Sequence, residues 1–151
     1  MFKHILIPTD GSDLSQDAVR YGISLAKAVN AKVTGIAVSP PFHVFAMDPA
    51  MNRDTPDSYT ERMTAVATKF LEQVTNAAQG LVRCDTIHVE HAHPFEAIIE
   101  TAKTKGCDLI VMASHGRHGI AAIVLGSETL KVLTHSTIPV LVYRESRPTL
   151  L

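Results

Sequence analysis

Five short apolar runs punctuate the chain: HILIP (4–8), KVTGIAV (32–38), CDTIHVEHA (84–92), CDLIVMA (107–113) and PVLVYR (139–144). Four of them are almost continuous in Ile, Val and Leu, the pattern of strands buried on both faces of a parallel sheet. The third alternates more and fits an edge position. Between the runs the hydrophobic period changes. Leu14, Ala18, Tyr21, Leu25 and Val29 recur at spacings of three and four, which places them on one helical face. Ser12 or Asp13 would cap this helix, and Asn30 can end it. A second stripe, Tyr59, Met63, Val66, Phe70, Val74 and Ala77, predicts another core-facing helix. A third opens at Pro94, suited to a first helical position, and closes at Gly106. A short fourth spans about Ser127 to His135.

Regular alternation of strand and helix predicts a single doubly wound α/β domain with right-handed crossovers, residues 1–145, followed by a short tail, 146–151. Residues 39–58 hold four prolines and predict a long irregular connection. Phe42, Phe45, Met47 and Met51 within it suggest that it folds over the sheet end or meets a partner.

Composition narrows the function classes. A length of 151 residues is enough for one sizeable core. A formal net charge of −1 offers no overall basic field, which argues against sequence-independent nucleic-acid binding. Cys84 and Cys107, with no CxxC pairing, read as free thiols in a reducing compartment. The N-terminus lacks the apolar segment of a secretory signal, and no run approaches the ~20 apolar residues of a membrane span. The expected location is the cytoplasm.

Candidate chemistry is sought beyond the carboxyl ends of the strands, where open α/β sheets bind ligands. The first strand is followed by PTDGS and the fourth by SHGRHG. Asp10 can accept hydrogen bonds from ribose hydroxyls or cap the next helix, and position alone leaves both open. Gly116 and Gly119 allow a backbone to approach an anion closely. Gly126-Ser127 opens a helix whose N–H groups favour phosphate. Neither GxxxxGK[ST] nor GxGxxG is present, so neither standard phosphate-loop fingerprint applies.

The eight histidines form no ligand set by local spacing. On a strand His88 and Glu90 share one face while His91 and His93 share the other. No nucleophile elbow occurs, and the cysteines have no local activating partner. A phosphoryl-accepting receiver domain would need Asp after the third strand and Lys after the last. His91 to His93 and Arg144 stand there instead.

The segments ILIPTDGS and DLIVMASHGRHGIAAIVLGSETLKVLTHSTIPVLVYR resemble the universal stress protein family, over essentially the whole domain. Its nucleotide-binding branch carries Gly, two residues, Gly, nine residues, then Gly with Ser or Thr. Gly116, residues 117–125 and Gly126-Ser127 satisfy the second part, while Ala113 stands at the first glycine.

The resemblance implies Pro8, Thr9 and Asp10 along adenine and ribose, with main-chain groups of Val38 on adenine. It implies Met112 and Ala113 at the strand end and His115, Gly116, Arg117 and Gly119 in the loop. Gly126, Ser127, Glu128 and Thr129 would stand at the phosphates. The implied ligand is ATP, or AMP or ADP, with or without Mg²⁺; Glu128 would either turn away or help hold that ion. Also implied are helices on both faces of a five-stranded parallel sheet of order 3-2-1-4-5. A homodimer would pair Ile138 to Tyr143 antiparallel with its copy.

The leading expectation is a regulatory module that reports nucleotide state to a protein partner. The alternatives are slow ATP hydrolysis or nucleotidyl transfer, and a nucleotide-free dimer.

Overall fold

In the computed structural model, which describes residues 1–42, 55–116 and 125–145, strands and helices alternate along the chain. The elements are β1 (His4–Pro8), α1 (Asp13–Val29), β2 (Lys32–Ser39), α2 (Pro56–Ala78), β3 (Cys84–Glu90), α3 (Pro94–Lys105), β4 (Leu109–Ala113), α4 (Ser127–His135) and β5 (Val140–Tyr143). All five strands pair in parallel, in the order β3-β2-β1-β4-β5. This is the doubly wound sheet expected from the alternation.

The central strand shows why nearly unbroken apolar runs are needed. Ile5 and Ile7 enter a core with Val19, Ile23, Val33, Val74 and Val111, under α1 and α2. Leu6 points the other way, into a core with Ile36, Ile98, Ile99, Ile110 and Val132, under α3 and α4. Each fully buried aliphatic side chain contributes roughly 1.5–3 kcal/mol, and β1 loads both faces at once.

The helix ends follow the capping signals. Ser12 caps α1 by accepting from Ser15 N, and Asn30 closes it in the left-handed region at φ 58°. Gly106 closes α3 at φ 70°. Thr55 and Ser58 cap α2 reciprocally, so Pro56 to Ser58 belong to the helix.

The expected helical stripes are shifted. In α1 the buried residues are Leu14, Ser15, Ala18, Val19, Gly22, Ile23 and Ala26, and Tyr21 is exposed. In α2 Ala67, Leu71, Val74 and Ala78 are buried with Tyr59, while Val66 is exposed. Small residues let these helices lie close to the sheet, so the larger side chains beside them reach the surface. Cys107 precedes β4: its N–H bonds to Ala102 O at 2.8 Å and completes the end of α3. Residues 43–54, with Phe45, Met47 and Met51, lie outside the described residues.

Candidate functional site

The strand order reverses between β1 and β4, neighbours in the sheet whose chains depart on opposite faces. A crevice opens at such a point beyond the carboxyl ends. The loops that reach it are 9–12 after β1 and 114–116 after β4.

The β1 loop is held by its own side chains. Thr9 is buried; its N–H bonds to Ile36 O at 2.9 Å and its hydroxyl lies 3.0 Å from the Ser15 hydroxyl. Gly11 N donates to Thr9 Oγ1 at 3.2 Å. Thr9 therefore shapes the loop from inside. Asp10 Oδ1 accepts from Ser12 N at 3.0 Å, tightening the entry into α1. Its second oxygen points across the crevice: a Cβ built on Gly116 would lie 2.5 Å from Asp10 Oδ2. One carboxylate oxygen thus serves the turn into α1 while the other faces Gly116, and glycine at 116 is what lets the β4 loop come so near.

The second wall is anchored on Ser114, a residue the spacing of motifs did not single out. Ser114 N donates to Tyr143 O at 2.9 Å and its carbonyl accepts from Gly126 N at 2.6 Å. One residue thereby fastens β4 to β5 and to the start of α4. Gly126 is pressed against this turn; a Cβ there would meet His115 Cα at 3.0 Å. It is also the N-cap of α4, and no side chain caps that end. The first-turn N–H groups of a helix begun this way can meet an anion.

The expected site residues divide into groups. Asp10 approaches Gly116 across the crevice, and Gly126 lies against half-buried His115, with exposed Ser127 next to it in the chain. Pro8 pairs with Ile36, and half-buried Val38 pairs with Val89 in the sheet. Met112 is buried in the core with Leu6 and Ile36, so its side chain packs the sheet. Ala113 is buried with Leu14 and Ala18, and Tyr143 packs on the same cluster; its methyl is spent on α1. Thr129 is buried, donating through Oγ1 to Ala113 O at 2.8 Å.

Glu128 turns onto α3. Its Oε2 accepts from Phe95 N at 3.0 Å, and its Oε1 lies 3.3 Å from Lys131 Nζ. It supplies a carboxylate to the first turn of a helix whose own N-cap, His93, makes no side-chain cap bond. Arg117 and Gly119 lie outside the described residues.

No cluster of three or more His, Cys, Asp or Glu side chains suited to a metal occurs among the described residues. Among them, too, no helix is long and apolar enough to cross a membrane.

Residues 1–144 match the model of the universal stress protein family. Universal stress protein MJ0531 of Methanocaldococcus jannaschii is 32% identical, over 97% of this chain and 85% of the relative. The solved structure of MJ0577, from the same organism, superposes with a TM-score of 0.79 at 27% identity, covering 98% of this chain and 99% of the other. A universal stress protein solved in complex with cAMP gives a TM-score of 0.67 at 26% identity, over 96% and 98% of the two chains. With the fold, the strand order and the family pattern in agreement over nearly its full length, this chain belongs to the universal stress protein family.

Proposed function

We propose that this universal stress protein binds an adenine nucleotide, ATP in the first place, between the β1 and β4 loops, and that it works as a homodimeric regulatory module. The observation that carries this reading is the approach of Asp10 Oδ2 to Gly116 across the crevice where strand order reverses. A carboxylate there accepts from ribose hydroxyls, while the uncapped start of α4 at Gly126-Ser127 receives phosphate. The cAMP complex of a related protein is consistent with an adenine ligand. Ala113 does not oppose it, because its methyl is packed against Leu14 and Ala18. In this arrangement Glu128 serves α3, and Arg117 and Gly119 would complete the loop over the phosphates.

The dimer would form through β5, an edge of the sheet. Pro139 and Tyr143 turn their carbonyls to β4, accepting from Ile110 and Ser114 at 2.9 Å each. Alternation then leaves the main-chain groups of Val140 and Val142 at the free edge, open to an antiparallel copy.

The test is calorimetric titration of the purified chain with ATP and Mg²⁺, alongside mass spectrometry of nucleotide released on denaturation. Saturable heat that disappears in Asp10→Ala and Gly126→Val is expected. No heat and no released adenine nucleotide would refute the reading.

A further inference from the structure

At the opposite end of the sheet, where β1, β2 and β3 begin, lies a cavity of about 380 Å³. Its walls carry Lys3, Lys27, Lys32 and Arg83, and no acidic residue lines it, although the chain has 15 Asp and Glu. The four cations come from four places: the segment before β1, the last turn of α1, the first residue of β2 and the turn into β3. Among the described residues none of them enters an ion pair.

The nearby carboxylates lie beside the strand starts and not on the cavity wall. Asp108 takes the N–H groups of Lys3 and His4 at 2.9 to 3.1 Å. Asp85 is held by the Thr34 hydroxyl and by Lys105 Nζ. The helix-end carbonyls of Ala26, Lys27 and Ala78 accept from Asn30, Ala31, Leu81 and Val82, and Lys3 O accepts from Lys32 N. What faces the cavity is positive charge with no carboxylate on its wall, above a floor of buried Ala26 and Ala31.

We propose that this cavity is an anion site, separate from the nucleotide crevice, that takes a compact ligand bearing two or more phosphate groups. Its volume is at the small end of the roughly 300–1,000 Å³ usual for ligand pockets. No aromatic side chain lines it, so there is nothing on which a base could stack, and recognition is by charge. Lys ammonium and Arg guanidinium groups supply charge-assisted hydrogen bonds to phosphate oxygens. The ligand is either an inorganic phosphate chain or a bisphosphorylated small molecule.

Titration of the ¹⁵N-labelled full chain with tripolyphosphate, fructose 1,6-bisphosphate and orthophosphate tests this and separates the two sources by affinity. Saturable shifts are expected at 27–33 and 81–84 with at least one of the first two probes, weakening as salt rises. They should persist in Asp10→Ala, and affinity should fall about tenfold or more in Lys32→Gln/Arg83→Gln. That double variant lies on the exposed surface and should keep its fold and its ATP titration. Shifts confined to residues 9–12, 113–116 and 126–129 would overturn the proposal. So would unaltered affinity in the double variant, or no saturable shift with either multiply phosphorylated probe.

Discussion

His4 is the buried residue whose protonation the fold resists most visibly. Its Nε2 lies 2.7 Å from Thr34 Oγ1, and the Thr34 hydroxyl gives its only proton to Asp85. With that proton committed, His4 Nε2 is the donor to Thr34 Oγ1. Burial and then Lys32 lower its pKa, against weaker upward pulls from Asp85, the Lys105 carbonyl and Asp108. Since the folded value lies below 6.5, the unfolded chain takes up the proton first as pH falls. The stabilisation is complete above that value and is lost between it and the lower folded value, with a slope of up to about 1.4 kcal/mol per pH unit. Urea unfolding at pH 7.5 and 5.5 should show a loss in the parent chain and a smaller loss in His4→Gln. Asp85 does not share this window. Burial raises its pKa, but Thr34 and Lys105 outweigh that and hold it below 3.8, so its contribution is lost only in stronger acid.

The attachment of α4 to the end of β4 is the element-level device on which the site depends. Thr129 reaches back to the Ala113 carbonyl while Gly126 N reaches the Ser114 carbonyl. Thr129→Val keeps the shape and removes the hydroxyl, leaving a buried carbonyl without that partner, at a cost of about 1–3 kcal/mol. Its urea midpoint should fall, and ATP should bind more weakly, because the first turn of α4 is no longer pinned to the end of β4. A variant with unchanged midpoint and affinity would show that Gly126 alone fixes the helix.

At this scale the strands were legible because burial on both faces leaves a continuous apolar run. The helix faces were less so. Small residues such as Ser15, Ala18, Gly22, Ala26, Ala67 and Ala78, which carry little hydropathy signal, share the contact stripes with Leu, Val and Ile, while Tyr21 and Val66 draw the eye and end at the surface. The convergence of the β1 and β4 loops, which brings Asp10 to Gly116, was readable from loop position. Ser114 was not, since its part is played by the main chain and only sheet pairing reveals it.

Over the whole molecule, the two ends of the sheet differ in kind. The carboxyl end gathers glycine, a carboxylate and a helix start; the amino end gathers four cations. A net charge of −1 concealed the second, because Lys3, Lys27, Lys32 and Arg83 are scattered in sequence and meet only after folding. Assembly belongs to this scale too. Val142→Pro removes an N–H from the free edge of β5 without touching the bonds to β4, and proline is tolerated on edges. Sedimentation equilibrium should find the parent chain dimeric and this variant monomeric, with circular dichroism unchanged. A parent chain that sediments as a monomer, or a variant that stays dimeric, would place assembly elsewhere or nowhere.

The pairing of β1 with β4 also bears on how the chain is made. β1 pairs with β2 in register from His4↔Lys32, but its other neighbour begins at Leu109. At about 5–20 residues per second, that second partner arrives roughly 5–20 s after the first strand has emerged. For that interval the strand destined for the centre of the sheet is an open edge of Ile5, Leu6 and Ile7. A nascent chain that stalls before β4 thus presents a wholly apolar strand edge to every neighbour, so the hazard of misassembly during synthesis lasts from the end of β2 at Ser39 until β4 begins at Leu109.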